Sequence, residues 1–277
     1  MLIAHLSDFH IRPRGALAYG VSETNLFAEH AIHALLRLAP RPDCVIVSGD
    51  LTDCGLAEEY EILASLFARL PMPVFAVPGN HDRREPFRAA FAPGGYLPPD
   101  GYLNFAIDRG EVRIIGLDSL VAGESHGALA PDTLRFLAHA LAERPDATTL
   151  VMLHHPPFET GIGHMDQVGL REGVAELEAI LHAHPQVARV LCGHVHRSIQ
   201  TMVGGRLCQI APSVAHQVTL DLRTEAPSCF VLEPPEFLIH RVEGGRVVTH
   251  GAKVDRAPGP FPFVLPEDYP GRSPSAA

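Results

Sequence analysis

An α/β chain built on a largely parallel sheet is what this sequence predicts, and three observations carry that expectation. Short apolar runs rich in β-branched residues recur, among them Val45-Ile46-Val47, Pro73-Val74-Phe75-Ala76-Val77, Thr148 to Leu153 and Arg189-Val190-Leu191-Cys192. Between them lie segments of helical periodicity, the rhythm of strand–helix–strand crossovers. Each run then ends in groups that can bind a metal: Gly49-Asp50, Gly79-Asn80-His81-Asp82, His154-His155 and Gly193-His194-Val195-His196. In open sheets of this kind, sites form at the carboxyl ends of strands.

Taken in order, Leu2 to Leu6 is a first buried strand that delivers Ser7-Asp8-Phe9-His10. In an extended segment Asp8 and His10 would point to one side, because side chains alternate with period two. After a loop over Arg12 to Gly20, Ser22 is placed to cap a helix running towards Leu38, with Leu26, Ala31, Leu35 and Leu38 inward and Pro40 and Pro42 as the stop. The strand ending in Asp50 follows. A helix from about Ala57 to Leu70 then turns Tyr60, Leu63, Leu66, Phe67 and Leu70 inward, leaving Glu58, Glu59 and Glu61 as a solvated face near its positive end. The strand from Pro73 to Val77 closes this half.

Pro86 to Pro99 reads as a short helix and a loop, and Asn104 to Ile107 with Val112 to Leu117 as two strands joined by a turn. Ser119 to Gly127 is a loop, and Pro131 to Leu141 a helix with Pro suited to its first turn. After the strand Thr148 to Leu153, the loop Phe158 to Gly169 would border a pocket, and a helix from about Arg171 to Ala183 leads to the strand before His194. From Gln200 onward, short strands with turns at Gly204-Gly205 and Gly244-Gly245 suggest a meander. Residues 1–256 therefore read as one domain, and 257–277 as a Pro/Gly-rich arm. Phe261, Phe263 and Tyr269 in that arm would suit docking on a neighbouring subunit in a homo-oligomer or packing on their own domain.

Composition narrows the class. Hydrophobic residues make up 46%, enough for a large core, and no apolar run has the length of a membrane span. A formal net charge of −10 argues against a nucleic-acid partner, which needs a basic face. Five cysteines without disulfide spacing, and an N-terminus that enters a strand at once, suggest a reducing, cytoplasmic setting.

The chemistry-bearing set is Asp8, His10, Asp50, Asn80, His154, His194 and His196. Carboxylate, amide and imidazole together suit Mn, Fe, Co or Zn, and seven ligands exceed one tetrahedral ion. Two divalent ions sharing Asp50 would each receive four protein ligands. Such a pair activates a water and clamps phosphoryl oxygens in an in-line displacement. The ions bring four positive charges against the two carboxylates, so the site suits an anionic phosphate ester. His81 is placed to protonate the leaving oxygen or stabilise its charge. His155 reads as a neighbour of the ligands rather than a ligand, Cys192 as a small buried strand residue, and His5, His30, His33, His139, His182, His184, His240 and His250 as ordinary histidines.

With these residues in place, the chain resembles the calcineurin-like metallophosphoesterases. Asp8-Phe9-His10, Gly49-Asp50, Gly79-Asn80-His81-Asp82, His154 and Gly193-His194-Val195-His196 are similar to that family's five motifs, in the family order. The resemblance implies a four-layer αββα sandwich of two mixed β-sheets flanked by helices. It also implies a dinuclear site, with Asp8, His10 and His196 on one ion, Asn80, His154 and His194 on the other, and Asp50 on both. Within the family, Asp53-Cys54-Gly55, Glu58-Glu59-Tyr60, Met165-Asp166 and Val214 to Val218 are similar to class III cyclic-nucleotide phosphodiesterases and, more closely, to metal-dependent glycerophosphodiesterases. That likeness points to Tyr19 and His216 as groups near the substrate, beside Asn80 and His81. The expected activity is hydrolysis of small-molecule phosphodiesters. A phosphomonoesterase, a nuclease and a non-catalytic binding protein on this fold are the alternatives.

Overall fold

The central strands, among them Leu2–Leu6, Cys44–Val47 and Thr148–Met152, are buried on both faces, which is why they read as continuous apolar runs rather than alternating ones. The computed structural model describes residues 1–263. The first half runs β1 (Leu2–Leu6), α1 (Thr24–Arg37), β2 (Cys44–Val47), α2 (Ala57–Phe67), β3 (Val74–Ala76) and α3 (Arg84–Phe91). The second runs β4 (Phe105–Arg109), β5 (Val112–Gly116), β6 (Gly127–Ala128), α4 (Pro131–Glu143), β7 (Thr148–Met152), α5 (Gly163–Asp166), β8 (Leu170–Glu172), α6 (Val174–Ala183) and β9 (Val187–Cys192). Then come β10 (Ile199–Val203), β11 (Arg206–Ile210), β12 (Gln217–Val218), β13 (Phe230–Val231), β14 (Glu236–Glu243) and β15 (Arg246–Lys253).

Two mixed sheets result, ordered β15-β14-β1-β2-β3 and β10-β11-β9-β7-β5-β4. Alternate residues of one strand feed different layers. Val45 and Val47 pack under the helices of the first half, while Ile46 between them packs in the space between the sheets. Likewise Val151 faces the helix side of the second sheet, while Leu150 and Met152 meet Ile3 and Ile46 in the middle. Helix, sheet, sheet, helix is the resulting stack, the four-layer αββα sandwich expected.

Several local expectations need correction. The C-terminal strands do not form one meander: β14 and β15 extend the first sheet through β1, and β10 and β11 extend the second through β9. Hairpins of either destination look alike in sequence, because only long-range register separates them. Ser22 does not cap α1. It pairs backbone to backbone with Ala18 in a tight turn, and Glu23 takes the cap position. Ala31 and Leu35 are buried as expected, together with Ala28 and Ile32, but Leu26 is half exposed. Glu59 is not solvated but fully buried, its carboxylate accepting the backbone N–H of Cys54 and of Leu56, both at 3.0 Å. The short strand β8 occupies Leu170–Glu172, so α6 starts at Val174. In the arm, Phe261 and Phe263 are exposed, and Tyr269 lies outside the described residues. No helix among the described residues is long and apolar enough to cross a membrane.

Candidate dinuclear metal centre

The carboxyl ends of β1, β2 and β3 from one sheet and of β7 and β9 from the other converge on one pocket. Backbone bonds lace their loops together: the N–H of Asp8 to Gly49 O and of His10 to Asp50 O, each 3.0 Å, and the N–H of Gly193 to His154 O at 3.0 Å. Asp8, His10, Asp50, His194 and His196 all adopt positive φ, between 47° and 72°. Among the described residues, the remaining non-glycine residue with positive φ is Tyr19, at 52°. Left-handed backbone costs roughly 1–2 kcal/mol at each L-residue and collects at functional sites. The period-two geometry expected for Asp8/His10 and His194/His196 is therefore corrected: each pair meets the site through left-handed turns, not along an extended strand.

Glycine is required where these loops touch. A Cβ on Gly79 would run into the Asp50 carboxylate, and one on Gly193 into Ser7 Oγ and the Asp8 carboxylate. In the same way Gly49 leaves room for the His154 ring.

All seven residues come together. Ligand atoms of Asp8, His10, Asp50 and His196 lie within 4.8 Å of one another. Around Asp50 on the other side, His154 Nε2 stands 3.2 Å from Asp50 Oδ2 and 3.2 Å from Asn80 Oδ1, with the His194 ring 5.1 Å from that of His154. The carboxylates are held from behind. The N–H of His194 donates to Asp8 Oδ1 at 3.1 Å, and the N–H of His81 to Asp50 Oδ1 at 2.9 Å.

The donor set fits cations on chemical grounds. His10 Nδ1 donates to Asp53 Oδ1 at 3.2 Å and His196 Nδ1 to the His216 carbonyl at 2.8 Å. Their Nε2 lone pairs then face each other at 3.1 Å with no hydrogen between them. His154 Nδ1 donates to Ser48 O at 2.7 Å, so its Nε2 also meets only acceptors. His194 Nε2 is buried with no partner at all. Converging buried lone pairs of this kind need positive charge between them.

Charges respond accordingly. Burial disfavours charge on Asp8 and Asp50, yet nearby imidazoles win: His196 leads in holding Asp8 down at about 2, and His154 leads in holding Asp50 well below the carboxylate range. At His154 burial is outweighed by Asp50, and its pKa rises to about 9. Burial pushes His194 down to about 3 and His216 to about 2.

His81 is half-buried beside the centre, and its Nδ1 donates to Asp53 O at 2.7 Å, which presents Nε2 to the pocket. Burial lowers its pKa, but Asp50 and the Asp53 carbonyl more than offset this and raise it. Tyr19 and His216 both line the pocket, with ring centroids 5.6 Å apart. His155 bonds Ser119 Oγ through Nδ1 at 2.8 Å and packs 4.8 Å from the His194 ring.

Two supporting carboxylates escaped the sequence reading. Asp53 holds His10 and pairs with Arg12 at 3.1 Å. Asp82 is buried and accepts from the N–H groups of Leu51, Thr52 and Gly79 and from the hydroxyls of Thr52 and Tyr60, tying the second ligand loop to the third. Their motif neighbourhood was the available signal. Their partners, long-range backbone groups, leave no trace in local sequence.

A two-sheet sandwich with metal-binding side chains gathered at its strand ends is the architecture of dimetal phosphatases. The chain superposes on a dimetal phosphatase from Danio rerio with a TM-score of 0.67 at 13% identity, over 92% of this chain and 96% of that one. On a purple acid phosphatase from yellow lupin the TM-score is 0.64 at 12% identity, over 92% of this chain and 51% of that one. The family model for calcineurin-like phosphoesterases matches residues 1–198. The chain belongs to this family, and is a metallophosphoesterase. It is 37% identical to a probable glycerophosphodiester phosphodiesterase GpdQ of Arcobacter nitrofigilis, over 95% of this chain and 97% of that protein. It is 32% identical to glycerophosphodiester phosphodiesterase GpdQ of Enterobacter lignolyticus, over 94% of both. With the 3′,5′-cyclic adenosine monophosphate phosphodiesterase CpdA of Pseudomonas aeruginosa it shares 32% over 78% of this chain and 77% of that one.

Proposed function

We propose that this protein is a metal-dependent phosphodiesterase of small molecules, working in the cytoplasm with two divalent ions drawn from Mn, Fe, Co and Zn. Asp8, His10 and His196 would hold one ion, Asn80, His154 and His194 the other, and Asp50 both. Ions held there supply Lewis-acid charge to the phosphoryl oxygens and lower the pKa of water to about 7. The chain's own groups do the rest. Asp53 fixes the His10 tautomer, Ser48 O fixes that of His154, and His81 offers Nε2 to the leaving oxygen.

One observation carries the choice of diester. Among the described residues, the pocket over the centre, about 440 Å³, is lined by no Lys or Arg, and Asp50 is the one carboxylate there. A diester carries a single negative charge, while the second charge of a monoester finds no Lys or Arg among the described lining residues to pair with. The relatives named above, glycerophosphodiester and cyclic-nucleotide phosphodiesterases, agree with that reading. Acidic net charge and a pocket without basic side chains weigh against nucleic acid.

The test compares kcat/KM of Mn-loaded protein on glycerophosphoethanolamine, 3′,5′-cyclic AMP and 4-nitrophenyl phosphate. At least one diester should exceed the monoester by tenfold or more; a monoester that beats both would end the diesterase reading. For His81, alanine should slow diesters with alkoxide leaving groups far more than nitrophenyl diesters. Equal slowing would remove its role as proton donor.

A further inference from the structure

A wall of aromatic rings climbs out of the metal centre. The His216 ring lies 4.8 Å from His196 and 5.2 Å from His10. Phe230 stands 5.0 Å beyond it, and Tyr19 packs on both, 5.6 Å from His216 and 5.4 Å from Phe230. The wall has a firm frame. His216 leads directly into β12, and β13 pairs with that strand so that Val218 stands opposite Phe230. Tyr19 is held differently, by a left-handed turn that, among the described non-glycine residues, it shares only with proposed metal ligands. Its side chain is nevertheless 59% exposed, so the strained turn serves to present a ring to the pocket and not to fill the core.

The rest of the lining is equally informative. Met165, Val168 and Val218 are apolar, and beyond the metal-centre residues, His81 and the rings of the wall the polar side chains among the described lining residues are Ser125, His164, Ser228 and Cys229. His164 Nδ1 is buried and has no hydrogen-bond partner. A small polyol in this space would leave the exposed aromatic and apolar faces uncovered. A flat ring would lie against the aromatic faces, whereas His164 Nδ1 is closed off from the pocket.

We infer that Tyr19 and Phe230 form a ring-binding subsite, so that this chain prefers phosphodiesters whose alcohol part carries a heteroaromatic ring, a nucleoside 3′,5′-cyclic phosphate being the simplest, over glycerol-bearing diesters. The inference rests on the diesterase reading of the metal centre. Phe230 is its specificity-determining residue, since it reaches the centre only through His216, whose ring packs on His10 and His196.

The test uses the full-length protein. Aromatic stacking is worth about ten- to hundred-fold per ring, so Phe230→Ala should lower the kcat/KM ratio of 3′,5′-cyclic AMP to glycerophosphoethanolamine by about tenfold, acting through KM, and Phe230→Tyr should restore it. A second readout needs no turnover. The chain contains no Trp, so Phe230→Trp carries a single indole whose fluorescence, in protein treated with EDTA, should be quenched by 3′,5′-cyclic AMP and not by glycerophosphoethanolamine. An unchanged ratio in Phe230→Ala, or quenching that is equal or absent for the two ligands, overturns the subsite. Failure of the metal-loaded wild type to hydrolyse any diester overturns the diesterase reading instead, and the fluorescence titration still reads the subsite.

Discussion

The two ends of the sheets solve the same backbone problem in opposite ways. At the far end, the hairpins β4–β5, β10–β11 and β14–β15 turn through Gly110, Gly204-Gly205 and Gly244-Gly245, all at positive φ. At the site end, positive φ falls on Asp8, His10, Asp50, His194 and His196, where each L-residue resists it. Glycine there serves a further need, the close approach of one loop to the next at Gly79, at Gly193 and at Gly49, which is also at positive φ. One end relaxes its turns, and the other accepts strain because a turn without a side chain binds nothing. Function is thus legible in backbone dihedrals before any chemistry is invoked.

The largest expected effect tests whether the strained end exists for ligation. Asp50→Ala should cut kcat/KM by about 10³-fold or more, several kcal/mol of transition-state stabilisation, and lower the metal content measured by mass spectrometry. Retained metal with retained activity would break the contrast between the ends.

Gly193→Ala probes close approach. Its Cβ would meet Ser7 Oγ and Asp8, backed by the Ser48 carbonyl at 2.9 Å, so we expect a loss of about 3 kcal/mol in stability together with lower metal content. A variant with wild-type melting temperature would show that the loops can part freely.

Between the ends, the strand bodies hold their own histidines. Burial, then Arg189, pushes His240 down to about 3, and its Nε2 lies 3.3 Å from His5 Nδ1. A native pKa below the unfolded value of about 6.5 means that the unfolded chain binds a proton the native chain refuses. Stability is therefore full above pH 6.5 and falls as pH drops towards 3, by about 1.4 kcal/mol per unit. Between pH 7 and 5, His240→Gln should lose about 2 kcal/mol less than the wild type in denaturant titrations. Equal losses would place acid sensitivity at the site end.

The smallest effect comes from the relaxed end. Gly244 has φ +55° and open space where a Cβ would stand, so Gly244→Ala should cost about 1 kcal/mol of stability through backbone strain alone and leave kcat unchanged. A lower kcat would mean that the two ends communicate.

Sequence by itself determined much of this protein. The apolar runs and the periodic segments between them located the main strands and helices of both sheets. The residue types at the strand ends named the seven groups that the pocket gathers, since carboxylates, amides and imidazoles in such positions have few other uses. Local signals of that kind survive because strand propensity and ligand chemistry reside in neighbouring residues. Tertiary structure alone decided the rest. Left-handed turns at Asp8 and His196 follow from bonds to distant loops, and Glu59 is buried because Cys54 and Leu56 turn their N–H groups towards it. The destinations of the C-terminal hairpins depend on register with β1 and β9. Phe230 meets Tyr19 only because the β12–β13 ribbon folds back over the centre. Each of these depends on partners far apart in the chain, and no local pattern encodes which distant group will arrive.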